Sequence, residues 1–323
     1  MRTLRSAPAS AYDESRRSFA YGSFRGRVGR VELDREPLGR LRRRVTQKNW
    51  VYTALITEEL VAAFAIVHLG YASKRFYYVL ERRGGTVIGE GSDLGGPLGC
   101  RVHAVGSESP TLVARFGSST IERSDTRMSI NASLRGFTLH AEAQAALPEM
   151  TAIARVPDGL VAVTEKGVLM PLSGSLAVGG RTFDLAGGHL GYDHTSGLMA
   201  RHTSWRWAFA MGKDAAGAPF ALNVVSGFVG ELECTAWTDG EPHALAEPVI
   251  EVGAPSTPWR IESADTKLDV DERARHEERV NLGIIRSRFI QATGTFRGHI
   301  TADGHEIELA GVPGMIEDQD VLW

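Results

Sequence analysis

The sequence predicts an all-β protein in which short antiparallel strands form two β-barrels in tandem, with little helix. Three observations predict this fold: glycine-centred turns recur, the stretches between them alternate apolar and polar residues, and no strand–helix–strand pattern occurs. At 323 residues the chain is large for one barrel, so we expect two, with a joint near residues 185–200.

Alternation of apolar and polar residues marks the clearest strands. Met128 to Ser133 alternates strictly, and Leu139 to Ala145 repeats the pattern. Trp205 and Trp207 share one face of a later stretch, with Arg206 on the other face. Because successive side chains of a strand point to opposite sides of a sheet, we expect these stretches to be half-buried strands.

Helix is scarce, and two segments leave their structure open. Thr57 to His68 begins with a helix-cap signal but also alternates, so a helix and a strand are both compatible with it. Asp269 to Arg279 is charged all round, which favours a loop or a short exposed helix.

The composition is that of a folded soluble protein, with 43% hydrophobic and 23% charged residues and a net charge of −3. The longest apolar run, Leu60 to Leu69, is about half the roughly 20 residues that a membrane helix needs. No stretch of signal-peptide type begins the chain. Cys100 and Cys234 fit neither a disulfide scaffold nor a zinc site. We therefore expect a cytoplasmic protein without integral membrane association.

Arginine is concentrated near the start of the chain. Residues 1–44 hold 12 arginines against 5 acidic residues, most densely at 40–44. Contact with an anion or nucleic acid is one interpretation and a solvated strap is the other. No nucleic-acid motif supports the first, so we expect no nucleic-acid partner. The predicted organisation is an arginine-rich strap at 1–45, a first barrel at 46–190 and a second at 191–323.

The stretch from Gly188 to Gly212 concentrates polar and aromatic side chains. Two indoles on one strand face can line a ligand cavity or belong to the core. An Asp-His pair can act in catalysis or stabilise a turn. No phosphate-loop, dinucleotide, nucleophile-elbow or zinc-protease motif occurs, and the spacing fits no metal site, so we expect no cofactor and no metal. The candidate residues in this stretch are Tyr192, Asp193, His194, His202, Trp205 and Trp207.

Two further groups of candidate residues follow. Asn223 lies on the polar face of an alternating stretch, and Glu233 and Trp237 share one strand face at a spacing of four. Glu317 and the neighbouring Asp318 precede an aromatic last residue. That acidic group could fold back into a barrel or form a solvated tail.

The chain resembles the domain-of-unknown-function 2804 family over nearly its whole length, most strongly from Gly174 onward. Two departures matter: the family pattern leads us to expect Asn at Cys234 and a His near Gln319, which puts any family chemistry at these positions in doubt. The ordered motifs that carry the resemblance are Lys48 to Tyr52, Leu172 to Gly174, Tyr192-Asp193, Trp205 to Ala208, Glu233 with Trp237 to Gly240, Pro258 to Arg260, Ser287 to Gln291, Gly294 to Gly298, and Gly314 to Glu317 with Trp323.

More distantly, Asp193-His194 with Gly197, followed by Trp205 and Trp207, is similar to carotenoid 1,2-hydratase (hydroxyneurosporene synthase) and its lipocalin-like relatives. That group is built of two lipocalin-like antiparallel β-barrels. It includes enzymes that add water to isoprenoid double bonds and also non-enzymatic lipid-handling proteins. The resemblance therefore implies the tandem-barrel fold, whereas a fold alone does not determine a function.

Three hypotheses about function follow. The first is a cofactor-free hydratase, isomerase or cyclase acting on a hydrophobic, isoprenoid-like molecule, with Asp193 as general acid and His194 or Glu317 orienting water or accepting the proton. The second is a binding or carrier protein for a lipid or terpenoid, and the third is a structural protein with filled barrels. In the first two, a hydrophobic small molecule is the partner. The residues expected to bind it are Tyr192, His202, Trp205, Trp207, Asn223, Glu233 and Trp237.

Overall fold

The computed structural model describes residues 4–105, 111–254, 257–281, 283 and 285–323. Strands make up 67% of the structure and helices 6%, so the predicted all-β class is confirmed. One sheet of 15 strands curls into a nearly closed barrel, and a second sheet of 9 strands forms a half-barrel. The second unit is therefore more open than a complete barrel.

The N-terminal segment lies against the first barrel and reaches the second sheet. Phe19, Phe24 and Leu33 pack against a small cluster that includes Val163 of the first barrel. The hydroxyl of Ser23 donates a hydrogen bond of 2.5 Å to the carbonyl of residue 232, in the part of the chain that forms the second sheet. The elements of this segment are β1 (Arg5–Ser6), β2 (Tyr12–Asp13), β3 (Ser18–Phe19), β4 (Gly22–Arg25), a 3₁₀ helix (Leu33–Arg35) and α1 (Arg40–Thr46).

The first sheet has the strand order β8-β7-β6-β5-β17-β15-β13-β12-β11-β10-β9, with β4, β14 and β16 paired at its sides and β1 paired with β4. Its strands are β5 (Gln47–Ile56), β6 (Leu60–His68), β7 (Ser73–Glu81), β8 (Thr86–Gly95), β9 (Cys100–Val105), β10 (Thr111–Phe116), β11 (Ser119–Arg123), β12 (Arg127–Leu134), β13 (Phe137–Gln144), β14 (Met150–Ala154), β15 (Val161–Val178), β16 (Arg181–Asp184) and β17 (His189–Leu198), with a 3₁₀ helix at Pro97–Gly99.

Strand β6 settles the open question about Thr57 to His68. Leu60 and Phe64 face the interior of the first barrel, whereas Val61 and Ala65 face the second sheet. The cap signal that suggested a helix belongs to the turn before β6, where Thr57 Oγ1 accepts hydrogen bonds from the backbone N–H groups of Glu59 and Leu60.

The second sheet has the order β21-β20-β19-β18-β26-β25-β24-β23-β22. The predicted barrel boundary after residue 190 falls within β17, which belongs to the first sheet, and the chain crosses to the second sheet at 199–201. The strands of the second sheet are β18 (His202–Lys213), β19 (Pro219–Gly227), β20 (Thr235–Thr238), β21 (Glu241–Ala244), β22 (Val249–Glu251), β23 (Trp259–Glu262), β24 (Thr266–Asn281), β25 (Arg286–Ala302) and β26 (His305–Leu322), with a 3₁₀ helix at Gly230–Glu233.

The charged segment Asp269 to Arg279 is part of β24, so the expected loop or short helix was wrong. It pairs with β25 throughout, apart from a bulge near Glu272. The charged side chains of this segment are accommodated because the second half of β24 extends to the first barrel. There Glu278 pairs with Lys74, and His276 lies 2.7 Å from the Glu90 carboxylate. No helix in the described residues has both the length and the apolar character that crossing a membrane requires.

Candidate functional site: a cavity between the two sheets

A cavity of about 280 Å³ lies between the two sheets, close to the lower end of the size range of small-molecule sites. Several strands contribute alternate residues to it, as the two-residue period of a strand predicts. Most of the lining is apolar or aromatic. The strand pairs that line it are Trp50 and Tyr52 on β5, Lys74 and Phe76 on β7, Asp193 and Thr195 on β17, Trp205 and Trp207 on β18, Ser287 and Phe289 on β25, and Glu317 and Gln319 on β26.

Aromatic rings from the two sheets meet at the cavity wall. Trp50 of the first sheet stacks on Trp205 of the second, with ring centroids 6.0 Å apart and planes within 13°. Phe228 lies within 6.2 Å of both rings. Tyr52 meets Trp207 edge to face at 5.6 Å. These pairs join the sheets and give the cavity a rigid, flat-sided wall.

A buried lysine with two carboxylates forms one end of the site. The Nζ atom of Lys166 on β15 lies 2.6 Å from Oδ2 of Asp193 and 2.6 Å from Oε1 of Glu233. Asp193 is the cross-strand neighbour of Lys166. Glu233 is the last residue of the 3₁₀ helix between β19 and β20 of the second sheet. Burial would lower the pKa of Lys166, but attraction by the two carboxylates outweighs burial and raises it. The lysine therefore remains an ammonium ion that holds both carboxylates in place.

Glu317 is a further carboxyl group of the cavity lining and has different surroundings. Its Oε1 accepts a hydrogen bond of 2.6 Å from the indole of Trp205, and its Oε2 accepts one of 3.1 Å from the amide of Gln291. Burial raises the pKa of Glu317 to about 7, and the nearby Asp193 carboxylate adds to the rise, while the two hydrogen bonds and Lys166 oppose it. The group thus exchanges protons near neutral pH.

Buried hydrogen bonds hold these groups in position. The indole of Trp207 donates to Oδ1 of Asn223 at 2.8 Å, and the Asn223 amide donates to the carbonyl of Glu233 at 2.9 Å. Thr195 Oγ1 lies 3.2 Å from Oδ1 of Asp193 and lines the cavity. Asn223 is therefore placed behind the cavity wall, where it ties an aromatic side chain to a carboxylate-bearing turn.

Five residues predicted from the sequence line the cavity: Asp193, Trp205, Trp207, Glu233 and Glu317. They come from β17, β18, β26 and one 3₁₀ helix, which are distant in sequence. The two acidic residues predicted near the end of the chain, Glu317 and Asp318, point to opposite sides of the sheet, because they are adjacent on one strand. Glu317 faces the cavity, whereas Asp318 forms ion pairs with Arg206 and Arg288.

Tyr192 and His194 face away from the cavity, because they flank Asp193 on the same strand. Tyr192 lies in the core of the first barrel, where its hydroxyl donates to Oε1 of Glu165 at 2.5 Å. His194 is buried beside Ser196, and burial lowers its pKa. We therefore leave Tyr192 and His194 out of the proposed site.

His202 and Trp237 also lie outside the cavity lining. His202 is exposed at the start of β18, with Nε2 3.3 Å from Oδ2 of Asp320. Trp237 is fully buried in the core between the sheets, and its indole donates to the carbonyl of Pro148 at 2.8 Å. The spacing that aligned Trp237 with Glu233 assumed one strand, but Glu233 belongs to a 3₁₀ helix before β20.

Sequence reasoning missed Lys166, Trp50 and Gln291. The signal for Lys166 was present: Glu165-Lys166 is the one charged pair in β15, whose first half is mostly apolar. Trp50 occurs in one of the motifs that carry the family resemblance. Gln291 also ends one of these motifs, Ser287 to Gln291, but its contact with Glu317 depends on the pairing of β25 with β26.

The two departures from the family pattern have different surroundings. Gln319 lines the cavity, and its amide donates to the hydroxyl of Ser287 at 2.9 Å. Cys234 is fully buried behind the wall, with its sulfur 3.4 Å from the carbonyl oxygen of Val225. Within the described part of the chain, no three His, Cys, Asp or Glu side chains are grouped to hold a metal ion.

Residues 16–323 match the family model described as domain of unknown function (DUF2804). The resemblance predicted from the ordered motifs is thereby confirmed. No curated protein sequence gives a significant match.

Several solved structures share the fold at low sequence identity. A putative AttH from Nitrosomonas europaea has 14% identity and a TM-score of 0.52, with 84% of this chain and 92% of that chain covered. Kievitone hydratase from Nectria haematococca has 13% identity and a TM-score of 0.53, covering 87% and 90%. CghA with Sch210972 has 9% identity and a TM-score of 0.51, covering 85% and 88%. At these identities the likeness establishes the fold and leaves the chemistry to the site itself.

Proposed function

The chain belongs to the DUF2804 family, a domain of unknown function. From the chemistry of its cavity, we propose that it is a cofactor-free acid–base enzyme. In this proposal it adds water to a hydrophobic, unsaturated small molecule, or isomerises or cyclises it. The observation that carries the proposal is a cavity with two carboxyl groups in different surroundings: Glu317, whose pKa burial raises to about 7, and the lysine-bound Asp193. The isoprenoid-like substrate expected from the sequence remains a prediction.

Glu317 takes the part of general acid that the sequence analysis gave to Asp193. An acid must hold a proton at working pH, and a carboxyl group with a pKa of about 7 does so. Asp193 is 2.6 Å from the Lys166 ammonium group and 3.2 Å from Thr195 Oγ1, and these contacts hold its carboxyl group at the cavity wall, where it can orient water. The division of roles therefore follows from the two environments.

The reaction begins when Glu317 transfers its proton to one carbon of a double bond, which forms a C–H bond and leaves a cation on the neighbouring carbon. Water held near Asp193 and Thr195 then adds its oxygen to that carbon. The released proton goes to Asp193 or returns to Glu317. In isomerisation or ring closure, a carboxylate instead takes a proton from carbon, and no water is added.

The cavity walls favour such a cation. Faces of Trp50, Trp205 and Trp207 attract positive charge, and the carboxylates lie at the same end of the cavity. A hydratase occurs among the solved structures with this fold, which supports testing water addition first. The hypothesis of filled barrels predicted no pocket, and the cavity is the observation against it.

Incubation with unsaturated terpenoids and polyphenols in D2O, followed by mass spectrometry, tests the proposal. Hydration adds the elements of D2O, whereas proton-initiated isomerisation or cyclisation replaces one hydrogen by deuterium. We expect Glu317→Gln to abolish either change, and Glu308→Gln, an exposed carboxylate on the same strand, to retain it. Tight binding of a compound without any isotope uptake would instead support the carrier hypothesis.

A further inference from the structure

The cavity contains more negative than positive groups. Asp193, Glu233 and Glu317 line it, and the only ammonium in contact with this group of carboxylates among the described residues is Lys166. At the other side of the lining, Lys74 is already paired with Glu278. Ionisation of Glu317 therefore leaves negative charge that no cation of the described chain neutralises.

The aromatic wall already contacts one positive charge. The Nζ atom of Lys166 lies 5.7 Å from the ring centroid of Trp207, so one indole face already contacts a cation. Trp50, Trp205 and Phe228 extend this wall toward the apolar part of the cavity. Aromatic faces close to carboxylates attract organic cations, because ring quadrupoles and full charges act in the same direction.

We propose that the cavity binds hydrophobic organic cations, namely amines or quaternary ammonium compounds with a compact head-group. The head-group lies between the tryptophan wall and the carboxylates, and the apolar body lies along Phe76 and Phe289. This inference rests on the proposed function in one respect: the head-group occupies the position where the proposed reaction develops positive charge. A saturated compound of this class would be a ligand or inhibitor, because it offers no double bond to protonate.

Two ligands of equal shape and different charge test the inference. Benzyltrimethylammonium carries a permanent positive charge, and neopentylbenzene is its neutral isostere. Each is titrated into the purified protein at about pH 8, and binding is followed by tryptophan fluorescence. Because a cation–π contact in a desolvated site is worth about 2 kcal/mol, we expect the ammonium ion to bind at least about tenfold more tightly. This comparison uses the wild-type protein and needs no variant.

A variant pair locates the charge effect. We expect Glu317→Gln to weaken binding of the ammonium ion severalfold and to leave the neutral isostere unchanged, and Glu308→Gln to change neither. Equal affinity for the two ligands, no binding of the ammonium ion, or insensitivity to Glu317→Gln would each overturn the inference. Isotope uptake without ammonium selectivity would refute this inference alone. Ammonium selectivity without isotope uptake would refute only the proposed reaction.

Discussion

Replacement of Glu317 by Gln has a consequence for stability that can be worked out from its surroundings. Gln keeps an oxygen for the indole of Trp205, and Gln291 can turn its amide to present an oxygen to the new NH2 group. The variant therefore preserves the shape of the site and removes only the titration. Any pH-dependent difference between the two proteins then reports on the Glu317 carboxyl group.

The sign of the effect follows from linkage. The pKa of Glu317 is about 7 in the folded protein and has a reference value of 4.5. Between these values the folded state holds a proton that the unfolded state has lost, so the free energy of unfolding falls as the pH rises. Each pKa unit corresponds to about 1.4 kcal/mol. From about pH 5 to about pH 8, the wild type should lose about 2–3 kcal/mol of stability relative to Glu317→Gln.

Urea unfolding of both proteins across this pH range measures the difference, with Glu308→Gln as the matched control. The control should follow the wild type, because its carboxylate is exposed. A difference between wild type and Glu317→Gln that does not change with pH would refute the reasoning. Glu317 would then be ionised in the folded protein at neutral pH and unsuited to act as an acid.

Three further predictions concern the same site and its supports. Trp205→Phe removes a hydrogen bond that lowers the pKa of Glu317, so the loss of stability should extend to a higher pH than in the wild type, as urea unfolding can show. Lys166→Met leaves two buried carboxylates unpaired and should reduce the free energy of unfolding by about 3–5 kcal/mol; an unchanged urea midpoint would contradict the ion-pair assignment. Gly191→Ala places a Cβ atom 2.5 Å from a buried phenylalanine ring and should cost about 1–3 kcal/mol in thermal unfolding, whereas Gly96→Ala, with open space around it, should be close to neutral.

The fold could be predicted where each strand has one buried face. β12 and β13 alternate regularly because one side faces the barrel core and the other faces solvent. The prediction failed for the charged part of β24, whose long side chains are accommodated by ion pairs with the first barrel. Such pairing depends on contacts distant in sequence, and a local pattern of charges does not contain it.

The site was predicted in part for a similar reason. Unusual residue types identified Asp193, Trp205 and Glu317. His194 was also selected because it stands next to Asp193, but adjacent residues of a strand face opposite sides of the sheet. Lys166 is the most consequential omission, since its ammonium group joins Asp193 and Glu233 at the cavity wall. Its effect depends on β15 lying beside β17, a pairing that the sequence alone did not reveal.

The central claim is that the space between the sheets is a ligand site with a hydrophobic occupant. Native mass spectrometry of the purified protein, followed by organic extraction and uptake from a panel of terpenoids and fatty acids, tests this claim most directly. We predict a discrete apolar adduct, or uptake of at least one compound, that Trp205→Ala weakens. A clean mass of the free chain with no uptake across the panel would contradict the account.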